Sequence, residues 1–382
     1  ATAPEIAVGS ITESLLTSSS ITISWSTNQA TSDNRLEYGL ESDLSDAVWS
    51  SWDEGTNAPS IPLSGLTPET TYYYRCYAYN GDDHDLYDSS AILSFTTIRA
   101  PITLTVDDDL VERPDADYTV IQDAIDAAID DDIVEVYPGT YFENLVIEKR
   151  LNLIGISYPN IEGDGDDAIH IKAKGCLIDG FNITGRNGFT DGNGIRIGYG
   201  ELIFKVDCGE TTIQNCHIHR SQDGIYVDRN SHDNDFINNN IRRNGQAIYF
   251  LNSDSNTITD CTVAKNGKGI LFMSSDQNTI TGGFFLNNSM LSGVRMDVEY
   301  PHLGDVCEGN RIEYSKFFND EVWVGASVTD TVITRNYFRG RYRLIHTNYD
   351  AISLHLNSEN IEISHNTIAG RIVLPMGDHS GI

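Results

Sequence analysis

A repeated slot runs through the C-terminal three quarters of the chain, two positions before an isoleucine or valine. Read in order it holds Asp167, Asn193, Asp223, Gln246, Lys268, Ser292, Asp350 and Ser380. If these segments are strands, alternation turns a second set outward: Arg196, Tyr226, Asp228, Tyr249, Leu271, Met273, Arg295, Asp297, Ser353 and His355. Paired carboxyls on one face do general acid and base work, and stacked acids raise one another's pKa so that one stays protonated. Tyrosine rings pack on flat rings, and Arg or Lys neutralises anionic groups. Cleaving a glycosidic bond takes two carboxyls, about 5 Å apart for retention and about 6.5–9.5 Å for inversion. The spacing predicts Asp223 and Asp228 as the catalytic pair, with Asp191 or Asp297 as partner. Arg196, Tyr226, Tyr249, Lys268, Arg295, Asp350 and His355 are the expected substrate-binding set. The competing structural reading is that Asp before Gly is a turn residue.

Metal chemistry has one candidate. Asp164, Asp166 and Asp167 in EGDGDDA offer oxygen ligands of the calcium type. No other cofactor is called for. His217 and His219 share one side of a strand but lack an evident third ligand. The tract VDDD (106–109) reads as a solvated turn.

These residues need a scaffold that repeats. TTIQNCHI (211–218), NDFINNNI (234–241), NTITDCTV (256–263) and NTITGGFF (278–285) share one template, and Ile213, Phe236, Ile258 and Ile280 mark its step of about 22 residues. A second strand follows each, as in DGIYV (223–227), QAIYF (246–250) and KGILF (268–272). The template returns at 310–317, 331–338 and 360–368. A unit this short, rich in β-branched residues with Asn and Gly between them, predicts one coil of a parallel β-helix per repeat. Like residues would stack about 4.8 Å apart, with Asn239, Asn336 and Asn366 in one inward slot beside Cys216 and Cys261. TVIQDAIDAAI (119–129) predicts an amphipathic helix, with Thr119 and Gln122 as a capping box, covering the open edge of the first coil. Extra residues at 198–210, 297–309 and 339–349 predict loops walling one face. The last is basic (Arg339, Arg341, Arg343, His346), which points to an anionic ligand.

The first 98 residues are different. About seven short alternating runs, among them SITISWST (20–27), TYYYRCYAYN (71–80) and ILSFTT (92–97), are divided by Gly, Pro, Asp and Asn turns. Trp25, LSGLTPETTYYYR (63–75) and SFTT (94–97) resemble a fibronectin type III domain, which implies a β-sandwich serving as spacer or sugar-binding module. The expected architecture is therefore all-β, with a sandwich over 1–98 and a right-handed parallel β-helix over 99–382. HSGI (379–382) matches the start of a second strand, so the native chain is expected to continue past Ile382.

The start at 119–156 and the coils resemble the right-handed β-helix family of carbohydrate-binding and sugar-hydrolysing repeat proteins. That family includes NosD-like surface proteins of methanogenic archaea. The resemblance implies an extracellular or cell-surface protein acting on an envelope polysaccharide. DGNGI (191–195) and QDGIYVD (222–228) partly match polygalacturonase motifs, whose following G-H-G and R-I-K are absent here. Calcium-dependent lyases of this family use an acid cluster with an Arg or Lys base, a role open to Arg295 or Lys268. A non-catalytic adhesion protein is the third alternative, and a homo-oligomer, trimer included, stays open.

Composition narrows the field. Twenty-five basic against 56 acidic side chains leave a net charge of −31, which repels nucleic acid and anionic membranes. No run of 18 apolar residues is present to span a membrane. The six cysteines form no C-x-x-C pair and are expected to be buried free thiols.

Overall fold

The structure is a computed structural model. It describes all residues except 1, 8, 30–31, 81–82, 186–191, 200–206, 289–291, 299–304, 341–349, 356–357, 370 and 374–382. The chain divides into two units, Ala1–Pro101 and Ile102–Ile382.

In the first unit a three-stranded antiparallel sheet and a five-stranded sheet form a sandwich. Alternation does the work. Ile21, Ile23 and Trp25 from one sheet, and Leu36, Tyr72, Tyr74 and Phe95 from the other, fill a shared core.

In the second unit three long parallel sheets of 11, 10 and 10 strands wrap one core. Each repeat contributes three strands rather than two. The eight-residue template breaks in its middle, giving Thr212–Gln214 and His217–His219 before Asp223–Val227. The break is a left-handed residue: Asn215, Asn238, Asp260, Gly282, Tyr314, Arg335 and His365 all have φ between 52° and 71° there. Asn, Asp and Gly tolerate that conformation best, which is why the template carries them between its apolar positions.

Three corners are held by hydrogen-bonded ladders. In one, Asn234, Asn256, Asn278 and Asn310 each accept the backbone N–H of the preceding member's coil through Oδ1. In the second, Cys216, Asn239, Cys261, Ser315, Asn336 and Asn366 share the slot. Among the described residues the third runs from Ser221 through Asn244, Asn266 and Asn288 to Asp320. Between corners aliphatic columns give way to stacked rings: Phe285, Phe317 and Phe338 lie 4.5 and 4.6 Å apart. All six cysteines are buried thiols, none joined in a disulfide.

The helix is shorter than expected, Ile121–Ala127, and its cap is different. Glu143 from the first coil accepts the N–H groups of Ile121 and Gln122, at 2.9 Å each. Gln122 turns away, pairing its side chain with the backbone of Val146. Lys149 closes the other end on the carbonyls of Ile125, Asp126 and Ala128. Ile121, Ala124 and Ile125 are buried, as the apolar stripe requires.

Two coils run differently from the sequence expectation. Glu321–Val324 is a member of the third sheet that the repeat pattern passed over. Its register slips by one residue against Ser292–Asp297, so the small residue that marks the other coils is missing. The strand after Asp350–Leu354 is Arg371–Val373, not HSGI, which lies outside the described residues.

Candidate functional site

The third sheet aligns its outward residues into one column. Val146, His170, Arg196, Tyr226, Tyr249, Leu271, Arg295, Trp323 and Ser353 are successive partners. Beside it, at the strand entrance, Asn193 accepts the N–H of Asp223, and Asp223, Gln246 and Lys268 are in register.

Arg196 is the hub of the first cluster. One guanidinium nitrogen lies 2.9 Å from Asp228 Oδ2 and another 3.8 Å from Asp167 Oδ2. The facing oxygens of these carboxylates are thus no more than about 9 Å apart, which does not exceed the span of two carboxyls working on one glycosidic bond. The Tyr226 ring lies under the guanidinium at 5.5 Å. Arg196 Nε is buried without a hydrogen-bond partner, as is Gln246 Oε1. His170 adds an imidazole whose Nε2–H donates to the Gly198 carbonyl at 2.7 Å and whose Nδ1 lies 4.0 Å from Asp167 Oδ2. Burial holds His170 below its ordinary pKa. Asp167 also accepts from Asn193 N (3.0 Å) and Nδ2 (2.8 Å).

Asp223 is only 3% exposed. Burial pushes its carboxyl up to about 6, with Asp167 adding to the rise and the Gln246 amide (2.9 Å) and Lys268 opposing it. Burial likewise raises Tyr226, reinforced by Asp228, so the phenol stays neutral near neutrality. Tyr249 meets Tyr226 edge-on at 5.3 Å.

A second cluster stands further along the column. Arg295 pairs with Asp297 at 2.7 Å and lies 4.0 Å over the Trp323 ring, which meets His355 at 4.3 Å. Burial, then the charge of Arg295, lowers His355.

Several expectations change. Asp223 and Asp228 do not form a close pair: five residues of extended strand separate their backbones by about 16 Å. Asp297 belongs with Arg295 three coils from Asp223, and Asp191 lies outside the described residues. Asp350 opens a strand opposite Arg371. Leu271 and Ser353 share the outward column yet are buried. Asp164, Asp166 and Asp167 do not bring their carboxylate oxygens together. Among the described residues the acidic group that does so, within 4.8 Å, is Asp107, Asp108 and Asp109, and Asp167 is taken up by Asn193 and Arg196. The sequence reading passed over His170 and Trp323. Alternation applied to DDAIHI would have found the first. The second was hidden by the slipped register of its coil.

Residues 143–295 match a family model described as the right handed beta helix region, and residues 10–97 match one described as the purple acid phosphatase N-terminal domain. The latter stands where the sequence resembles fibronectin type III. No curated protein matches the chain. Solved structures include a Family 28 exopolygalacturonase of Yersinia enterocolitica, 14% identical over 99% of this chain and 82% of that one, with a TM-score of 0.40. An alginate lyase of Paenibacillus sp. is 13% identical over 72% and 98%, with a TM-score of 0.43. A DFA-IIIase of Arthrobacter chlorophenolicus is 10% identical over 64% and 70%, with a TM-score of 0.48. By its sheets and the two family models, the chain is a β-sandwich followed by a right-handed parallel β-helix whose third sheet carries the candidate site.

Proposed function

We propose that the chain is a polysaccharide hydrolase of the cell surface or extracellular space, working on an acidic glycan laid along the third sheet. The observation that carries this reading is the column itself. It sets ring platforms (Tyr226, Tyr249, Trp323) among charged groups (Arg196, Arg295) at one-coil intervals, beside buried carboxyls. A sugar chain needs such ring faces, and Arg196 and Arg295 suit carboxylate substituents. Asp223, with its raised pKa, is the general acid. Asp167, held by Asn193 and Arg196, is the base. They stand two coils apart, about 10 Å between backbones, which favours inversion. Asp228 orients Arg196. Lys268, Asp350 and His355 are retained as binding residues further along, and Asp191 and Asp297 as secondary acids.

The finer reading, an envelope-degrading enzyme of the disaggregatase kind from a methanogen, rests on the sequence resemblance alone. Among the described residues no helix is long and apolar enough to cross a membrane.

The test is incubation with acidic cell-wall polysaccharide, following chain length by size exclusion and product anomer by NMR. Hydrolysis with inversion is expected, and Asp223→Asn should lose it while retaining the Gln246 bond. Unsaturated product absorbing near 235 nm would replace this reading with a lyase. No shortening, with Asp223→Asn indistinguishable from wild type, would make the column a binding surface only.

A further inference from the structure

We infer that Asp107, Asp108 and Asp109 bind a divalent cation, calcium by the chemistry of its donors. The three follow the strand Thr103–Val106 that opens the β-helix. One carboxylate oxygen from each lies within 4.8 Å of the others. Their remaining bonds leave that arrangement unexplained. Asp107 is fully buried; one of its oxygens accepts the Arg113 N–H at 2.6 Å, and the other, equally buried, has no hydrogen-bond partner. Asp108 accepts from Thr140 N at 3.1 Å and Asp109 from Val111 N at 3.0 Å, so each is fixed by one oxygen. The nearby Arg113 guanidinium is engaged by Asp115 at 2.9 Å.

Three carboxylates this close repel one another, and a buried carboxylate oxygen without a donor is costly. A hard cation relieves both. The set is all oxygen, without imidazole or thiolate, which disfavours zinc and copper. Magnesium would demand a strict octahedron, whereas calcium accepts an irregular set completed by water. Asp108 and Asp109 are exposed, so water reaches the ion while Asp107 anchors it from within. Because Asp108 also holds the turn at Thr140, the ion would tie the end of the first strand to the first full coil. This assignment is independent of the glycan reading.

The full chain, stripped with EGTA, is titrated with calcium chloride by calorimetry and by thermal melting. Terbium luminescence excited through tyrosine supplies a second readout, since the Tyr141 hydroxyl accepts from Asp108 N at 3.2 Å. One ion per chain is expected, and at about a hundredfold excess over Kd the melting temperature should rise by about 5 °C. Asp108→Asn and Asp109→Asn keep their hydrogen-bond acceptors and should fold as wild type does in EGTA. Each should weaken calcium binding by about tenfold or more. The assignment is overturned by an absence of saturable binding below millimolar calcium. Binding left unchanged in the double variant also overturns it, since the ion would then sit elsewhere.

Discussion

Replacing Asp320 by asparagine should make the β-helix more stable above neutral pH and leave it nearly unchanged in acid. Asp320 follows Asn288 in an asparagine ladder and is fully buried; its oxygens accept the backbone N–H (2.8 Å) and amide (3.2 Å) of Asn288. Burial, opposed by those bonds and aided by Glu321, pushes its carboxyl up to about 7 from 3.8. The folded pKa thus lies above the unfolded one, so between about pH 4 and 7 the folded chain binds the extra proton. Stability falls as pH rises through that window and levels off above it. Three units at 1.36 kcal/mol each set a ceiling of about 4 kcal/mol. An asparagine escapes this cost. Higher in the ladder Asn244, Asn266 and Asn288 each send Nδ2 to a carbonyl three residues before the preceding rung, at Ile218, Ile241 and Val263. At position 320 the matching carbonyl is that of Phe285. Stacked repeats unfold in segments, so the assay pairs thermal melting with amide exchange across 284–324, at pH 4.5 and pH 8. A gain confined to the higher pH is expected. Equal gains at both values, or a loss at pH 8, would refute the argument that a buried charge is being relieved.

Asp223→Asn should lower turnover by about 10²–10⁴-fold with little change in KM, measured on the shortening of an acidic polysaccharide. Wild-type turnover should decline as pH rises past about 6, because the acid must be protonated and its carboxyl is raised to about 6; the same profile in Asp223→Asn should lose that limb. Trp323→Ala should raise KM more than it lowers kcat, since the ring contacts Arg295 and His355 but no acid of the first cluster. Gly198→Ala should cut activity, as Gly198 holds a φ of 114° that side chains rarely adopt and its new methyl would fall 2.6 Å from Asp228 Cβ, pushing that carboxylate off Arg196; circular dichroism separates local displacement from loss of the coils. Glu143→Gln should cost about 1 kcal/mol by weakening the helix cap, read from thermal melting.

Much of the architecture was legible because it obeys periodic rules. The step from Ile213 to Phe236 to Ile258 to Ile280 sets the coil, and alternation in DGIYV turns Tyr226 outward and Ile225 inward. What escaped depends on three-dimensional neighbours. The capping residue Glu143 lies 22 positions from the helix start. The mid-template bend at Asn215 is a single left-handed residue inside what reads as one strand. Asp167 looked like a metal ligand because it follows Asp164 and Asp166, yet its partners come from the next coil. Trp323 was missed because its coil lacks the small residue that flags the others. The distance between Asp223 and Asp228 was misjudged by treating one coil as one place, although the strand between them is fully extended.

The corner ladders carry a consequence for how such a molecule can change over generations. Each rung accepts the backbone N–H of the rung before it and donates its own N–H to the next, so an added unit of 22 residues meets compatible partners at both seams. Duplication would then lengthen the exposed track by one step without redesign of the interior. Reach along a substrate becomes a countable, heritable quantity, set by the number of units rather than by the refinement of any one of them.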